Sequence, residues 1–419
     1  MEKMLSVLMA VLLLISFLLA SCAPADLPGE EQGDSQGEGD PEKPAEEITF
    51  PPLDMALTYG TVLYPAAVYN NVFYGMVKQT NGTGRMLFYY EFETGESGFL
   101  CGKPDCMHNT QDCNAFFVSA EGLGAYDGKL YVMWHDEVYR LNPDGTGRER
   151  IKDLTVRNSV TGKLEGTLLP YGSSEFHLHH GRIYYVNRNK VIVDGVPKYR
   201  INLISMSTAA DLELKTLFHK DYENSNPTIK FLACNNGFYF TVSSTESEGK
   251  RTEILRFRDG SDEPEIVLNT VTESILLGTL YIDKDDNLYT RGKQTNYAVC
   301  LVSGGELIEK VTAEEGDKRY TSLCIPYQDK YVMVKGGAGE KEILIKTMDN
   351  KTVYQGPLPV ESLKALGVDT SALGGAYLGY AGNRFYIDLQ VTKEKMNYYM
   401  AYELTESGLK ETLMFVHKT

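Results

Sequence analysis

One short phrase recurs seven times along this chain. A turn residue (Asn, Asp or Gly) is followed by any residue, an apolar residue, a tyrosine and often another apolar residue. It reads NNVFYG at 70–75, DGKLYV at 127–132, HGRIYY at 180–185, NNGFYF at 235–240, DDNLYT at 285–290, QDKYVM at 328–333 and AGNRFYI at 381–387. The key position falls at Tyr74, Tyr131, Tyr184, Tyr239, Tyr289, Val332 and Tyr386, at gaps of 43 to 57 residues. A period of that length means supersecondary units that bury their apolar faces only against one another.

The surroundings of the phrase repeat with it. Upstream lies a short apolar strand (TVLYPAAVY, AFFVSA, EFHLHH, IKFLAC) and downstream a longer alternating one (LFYYEFE, EVYRLN, RINLISM, EILRFR). A turn and a ragged fourth strand close each unit. Four antiparallel strands per unit, seven times over, predict an all-β, seven-bladed β-propeller over residues 48–419. A long β-sandwich, a β-solenoid, or a six-blade count with the Val332 unit misread are the alternatives. In this phase blade 1 begins near Thr61 and blade 7 ends near Phe415, each blade drawn from one contiguous segment. No sign of a blade shared between the termini is visible, though Ile48 to Phe50 offers an edge strand beside the last blade. The tyrosines are expected to wedge between neighbouring blades. A short helix is expected at 361–366 (ESLKAL).

The N-terminus reads as an address. Lys3 precedes an apolar run at 4–19, too short for a comfortable membrane span and of the length of an export signal. The run ends in LASC, Leu19 to Cys22, which resembles the lipobox of bacterial lipoproteins. Residues 1–21 are therefore expected to be removed and Cys22 to carry lipid, two or more acyl chains being needed for stable anchoring. A plain signal peptide with a chance cysteine is the alternative. Residues 23–47 lack aromatic and β-branched residues and hold nine acids against Lys43 alone. With Cys22 they form the expected disordered, acidic linker (22–47), carrying −8 of the formal −16 and leaving −8 for the body. An acidic body argues against a nucleic-acid partner, which wants a basic footprint. GDSQG at 33–37 matches a hydrolase elbow in letters only, because a disordered linker supplies no strand and helix around it.

Loop lengths separate the two faces of such a ring. First-to-second and third-to-fourth strand turns share one face and are tight. Second-to-third loops and inter-blade connections share the other and are long: 79–84, 187–198, 243–250, 291–296 and 335–341 within blades, and 101–113, 155–174, 219–228 and 358–374 between them. Long connections on a rigid scaffold are where binding usually resides. Phase places Tyr171, His177, Arg188, Tyr222, Arg291 and Tyr320 on or near that face, as candidate contact residues.

The segment LCGKPDCMHNTQDCNA at 100–115 is the richest in chemistry. Cys101, Cys106, His108 and Cys113 offer three thiols and an imidazole within 13 residues, a set able to close tetrahedrally around zinc. An exported location equally favours one disulfide with a spare thiol, and free thiols are a third outcome. Phase puts the segment between blades 1 and 2 on the long-loop face. The lipobox, the acidic linker, the sevenfold phrase and this cysteine segment together resemble a family of uncharacterised β-propeller lipoproteins of Gram-positive anaerobes. The resemblance spans nearly the whole chain and implies a surface-anchored propeller. It carries no activity with it.

Other residues yield less. Cys234, Cys300 and Cys324 stand in apolar strands and read as buried thiols. In EFHLHH, His177 and His179 share a strand face, a spacing able to chelate a metal, but no third ligand is visible in sequence and polar lining of a channel is the expectation. Trp134 and His135 read as blade packing or contact surface. DKDDN at 283–287 lacks the glycine and glutamate of a calcium loop and reads as a turn; GGAG at 336–339 lacks the lysine of a phosphate loop.

These observations lead to an expectation of recognition: a monomeric propeller, lipid-anchored at the extracytoplasmic face of the membrane, binding an envelope protein or glycan without catalysis. The alternative is a glycan lyase or hydrolase with its site at the channel mouth, which would need carboxylates, or a histidine with a carboxylate, converging there.

Overall fold

In the computed structural model the chain divides into two units, Met1–Thr49 and Phe50–Thr419. The residues described lie in the second, between 56 and 418, excepting 58–65, 80–83, 109, 119, 135–136, 158–163, 168–175, 223–226, 247, 262, 273–279, 284, 292–298, 312–322 and 335–340. The signal, Cys22 and the linker therefore lie outside them, as do Tyr171, Tyr320 and the GGAG segment.

Seven four-stranded antiparallel sheets form a β-propeller. Blade 1 is Ala66–Tyr69, Val72–Lys78, Arg85–Glu91 and Ser97–Phe99; blade 2 is Ala120–Tyr126, Lys129–Trp134, Glu137–Leu141 and Glu149–Asp153. Blade 3 is Phe176–His179, Arg182–Val193, Val196–Ser207 and Leu214–Tyr222; blade 4 is Thr228–Cys234, Gly237–Glu246, Gly249–Arg258 and Glu265–Thr272. Blade 5 is Leu280–Ile282, Leu288–Arg291, Val299–Ser303 and Glu306–Val311; blade 6 is Leu323–Tyr327, Lys330–Val334, Glu342–Thr347 and Thr352–Pro357. Blade 7 is Gly374–Ala381, Arg384–Val391, Met396–Thr405 and Gly408–Lys418. A helix at Glu361–Ala365 precedes blade 7, as the sequence predicts.

The repeated phrase explains the ring. It opens the second strand of every blade, and strand alternation sends its last two residues to opposite faces. Tyr184 packs forward on blade 4, with ring centroids 4.4 Å from Phe238, while Ile183 packs back into a cluster with Tyr131 of blade 2. Tyr386 of blade 7 likewise meets Phe73 of blade 1 at 5.0 Å, and Phe385 faces Tyr327 of blade 6. In blade 6 the pair is inverted: Tyr331 packs back among blade 5 residues and Val332 forward among those of blade 7. Every member of both sets is buried, so each phrase supplies one half of two seams.

Tyrosine hydroxyls then fasten the turns of the next blade. The Tyr69 hydroxyl accepts the Gly128 N–H at 2.9 Å, Tyr239 donates to the Asp286 carbonyl at 2.9 Å, and Tyr327 donates to the Asn383 carbonyl at 2.6 Å. The ring closes directly, blade 7 on blade 1. Phe88 stacks on Phe415 at 4.3 Å, Tyr399 donates to the Met76 carbonyl at 3.3 Å, and Arg384 donates to Asn71 at 2.9 Å.

Two expectations about the chain's course are corrected. Blade 7 carries a fifth strand, Ala56–Leu57, paired antiparallel with its innermost strand at Tyr380 and Gly379. It occupies the inner edge and also approaches the first strand of blade 4, on the opposite side of the ring. This corrects the expectation that every blade is drawn from one contiguous segment; the edge strand expected at Ile48 to Phe50 lies outside the described residues. Secondly, 187–198 and 243–250 are not irregular loops. The second and third strands of blade 3 pair without interruption out to a two-residue turn at Asp194–Gly195, both with positive φ (50° and 79°), the geometry an Asp-Gly hairpin turn requires. Blade 4 does the same to Glu246 and Gly249.

Candidate functional site

The cysteine segment leaves and rejoins one strand. Ser97–Phe99 pairs with Tyr90 to Phe88 of blade 1, and Phe116–Phe117 pairs with Met86 and Arg85 of that same strand. Between them the Leu100 N–H donates to the Leu87 carbonyl and the Leu87 N–H to the Ala115 carbonyl, both at 2.8 Å. Residues 100–115 are therefore an excursion from the outermost strand of blade 1, at the rim. They lie between blades 1 and 2, as sequence phase suggested, and touch the 79–84 loop of the long-loop face, where the Gln79 Nε2 donates to the His108 carbonyl at 3.3 Å.

The excursion leans on the third-to-fourth turn of blade 2. Asn114 donates to the Gly145 carbonyl at 2.7 Å, and Gly102 packs so tightly that a Cβ there would meet Thr146 at 2.3 Å. Arg148 is its clasp. One Nη1 donates to the carbonyls of Cys113 (2.8 Å) and Phe116 (2.9 Å), while the guanidinium lies over the Phe117, Tyr139 and Trp134 rings at 4.4, 5.0 and 5.5 Å. Burial there lowers the Arg148 pKa. Trp134 thus proves to be a packing residue.

Within this frame the four candidate ligands converge. One ligand atom from each of Cys101, Cys106, His108 and Cys113 lies within 4.8 Å of all the others, and the His108 Nδ1 sits 3.4 Å from the Cys113 Sγ. All three cysteines are free thiols. Burial drives the Cys113 thiol up to about 12. At Cys101 burial acts in the same direction but is outweighed by the N–H groups of Lys103 and Asn114 and by the neighbouring thiols, so its pKa falls.

The histidines of blade 3 take a different partner from the one their alternation suggests. His177 stacks on Phe231 of blade 4 at 4.6 Å, and burial lowers its pKa to about 3. His179 pairs with His180, rings 3.8 Å apart, because a left-handed backbone at His180 (φ 44°) folds its ring back. Both imidazoles meet Asp259, from the third-to-fourth turn of blade 4: His180 Nδ1 at 2.8 Å and His179 Nε2 at 3.4 Å. Burial opposes ionisation of Asp259, yet the two imidazoles hold its pKa down at about 2. This is the third group that sequence reasoning missed, and it stands on the tight-turn face. His179 is only 2% exposed, so the cluster is a closed clasp between blades.

The clasp continues into blade 5. Asp286 accepts the backbone and side-chain N–H groups of both Asn235 and Asn236, at 2.7 to 3.1 Å, with Arg256 at 3.7 Å. DKDDN is indeed a turn: the Asp283 side chain accepts the N–H groups of Asp285 and Asn287.

Of the proposed contact residues, Tyr222 is buried between blades 3 and 4 and donates to Glu253 at 2.9 Å. With His177 it belongs to a wall between blades rather than to a presented surface. Arg188 lies in the second strand of blade 3 and Arg291 ends that of blade 5. Cys234 and Cys300 are buried, as expected of structural thiols. What the long-loop face does present is the blade 3 hairpin. The fourth strand of that blade supports the third only as far as Tyr199 opposite Tyr222. Among the described residues the hairpin beyond that register is a two-stranded ribbon, with Ile192 77% and Val196 50% exposed near its tip.

No family model matches the sequence, and no curated protein matches it. Among solved structures it is similar to a prolyl endopeptidase (10% identity, TM-score 0.54), covering 88% of this chain and 51% of that one. It is also similar to the Pyrococcus horikoshii acylaminoacyl peptidase (9% identity, TM-score 0.47, covering 86% and 53%). The β-propeller domain of the Trilobed protease from Pyrococcus furiosus is a third (10% identity, TM-score 0.46, covering 85% and 97%). The chain spans about half the length of the two peptidases. At such identities the likeness concerns the fold.

Proposed function

We propose that this chain is a membrane-tethered, extracytoplasmic propeller that binds an envelope protein or glycan through its long-loop face and performs no catalysis. The observation that carries the reading is the blade 3 hairpin. Among the described residues its outer end has no third strand beside it, and the exposed Ile192 and Val196 near its tip are the apolar side chains this face offers to a partner.

Ala56 of the added strand pairs with Tyr380 on the innermost strand of blade 7. The same strand lies inside the ring, in space that a channel-mouth active site would need.

The test places a photo-crosslinking residue at Ile192, Val196 or, on the opposite face, Asp349 in living cells. A discrete adduct is expected from the first two only, and Ile192→Asp with Val196→Asp should weaken capture at least about tenfold, as loss of a contact worth 1–2 kcal/mol implies. Cys22→Ala should abolish labelling by an alkyne fatty acid. Equal adducts from both faces, or turnover of an envelope polymer by the purified protein, would overturn the proposal.

A further inference from the structure

We infer that Cys101, Cys106, His108 and Cys113 form a closed zinc site that locks the 100–115 excursion onto the rim of blades 1 and 2. Four soft or borderline ligands from one short excursion, meeting at one point, are not a by-product of packing. Zinc binds sulfur at about 2.3 Å and imidazole nitrogen at about 2.0–2.1 Å, so tetrahedral edges run to about 3.5–3.8 Å. The 3.4 Å between the His108 Nδ1 and the Cys113 Sγ is close to such an edge, and the mutual 4.8 Å limit holds for all four atoms.

The backbone is arranged around that point. Asp105 and His108 both adopt left-handed conformations (φ 58° and 53°), which turn the chain twice within four residues. Left-handed backbone at a non-glycine residue costs on the order of 1 kcal/mol, and among the described residues of the excursion no regular hydrogen-bond ladder offsets it. The N–H groups of Lys103 and Asn114 face the Cys101 sulfur, the outer contacts that orient a thiolate ligand. Cys113 is fully buried against the blade 1 core, giving the site a rigid floor.

The ligand set decides the metal and the role. Three thiolates and one imidazole in a tetrahedral arrangement select zinc over the hard cations, which prefer oxygen. With four protein ligands there is no open position for water or substrate, so the site is structural. Binding exchanges three thiol protons for one Zn²⁺, leaving a net charge of −1 on the cluster. The Arg148 guanidinium, held at the Cys113 carbonyl, lies beside that charge. A disulfide would use two of the three thiols and leave the third facing His108 with nothing to hold.

The experiment is metal analysis of the full-length chain, purified in detergent under reducing conditions, and then reconstituted with Zn²⁺ or Co²⁺ alone. One zinc per chain is expected. Cobalt should bind with the same stoichiometry, giving intense tetrahedral d–d bands and a thiolate charge-transfer band. His108→Ala and Cys106→Ser should each weaken cobalt binding at least a hundredfold. A chelator should sharply raise cleavage within 100–115 in the wild-type protein, a readout that does not depend on whether variants fold. Failure to bind one equivalent of either metal, stoichiometric iron in their place, or a disulfide among Cys101, Cys106 and Cys113 in the protein isolated without reductant would overturn the inference.

Discussion

His180 of blade 3 and Asp259 of blade 4 meet at 2.8 Å across a seam, although 79 residues separate them in the chain. His179 completes the contact from the other carboxylate oxygen. The four main strands of each blade are contiguous in sequence, so contacts of this kind, made turn to turn on the tight-turn face, help to fix one blade's angle against the next. Removing the acceptor strands two buried imidazoles. Asp259→Ala is therefore expected to cost about 1–3 kcal/mol, read as a lower denaturation midpoint with unchanged slope. Crosslinking at the proposed contact residues Ile192 and Val196 should be unaffected. Unchanged stability would show that the seam is held by its apolar contacts alone.

A second seam depends on a missing side chain. Gly122, in the first strand of blade 2, lies so close to blade 3 that a Cβ would sit 2.2 Å from the Phe176 Cδ1; at Gly124 it would sit 2.6 Å from the Leu178 Cβ. Gly122→Val forces the two innermost strands apart, and overpacking of this kind costs about 1–3 kcal/mol. Adding Phe176→Ala should recover part of the loss, because the ring is what a new side chain meets. A Gly122→Val protein as stable as wild type would show that the strands can part freely.

Arg148 tests the rim independently of any metal. Its guanidinium satisfies two carbonyls of the excursion while stacked among three aromatic rings. Lysine offers a point charge without the planar fork. Arg148→Lys is expected to lower stability by about 1–2 kcal/mol and to speed proteolysis within 100–115, Arg148→Ala more so. Wild-type proteolysis in both variants would show that the excursion is held from elsewhere.

What the sequence revealed and what it hid follow from range. The phrase around Tyr184 or Tyr386 is legible because alternation within one strand dictates both seams. Even the inverted Tyr331–Val332 pair keeps the pattern, since either order puts an apolar residue on each face. Asp259 was not legible as a partner of His179 and His180, because nothing local says which two turns the ring apposes. Ala56–Leu57 is too short to show alternation. The cysteine segment was recognised by its chemistry and its place between blades 1 and 2, but the return of Phe116–Phe117 to the strand of Met86 is a matter of tertiary pairing and was not legible. The blade 3 hairpin was readable: Asp194–Gly195 between Val193 and Val196 is a turn signal, obscured by the charged residues of its stem.

Asp388 offers a pH-dependent test of the last blade. It is 2% exposed in the second strand of blade 7, where Asn397 donates to both carboxylate oxygens at 3.1 and 3.0 Å and Gln390 to one at 2.9 Å. Burial outweighs those amides and pushes its pKa up to about 6, against an ordinary value of about 3.9. Between those two values the unfolded chain is ionised at this residue while the folded chain holds its proton. The native state therefore binds more protons there, and stability falls as pH rises through the window. The contribution is fully present below about 4 and fully lost above about 6, a total of about 3 kcal/mol. Asp388→Asn keeps the shape but cannot ionise. Denaturation of both proteins at pH 4, 5, 6 and 7 should show the variant gaining on wild type from pH 4 to 6 and holding level above, other carboxylates cancelling in the difference. A difference constant over the whole range would mean that Asp388 ionises as readily in the fold as out of it.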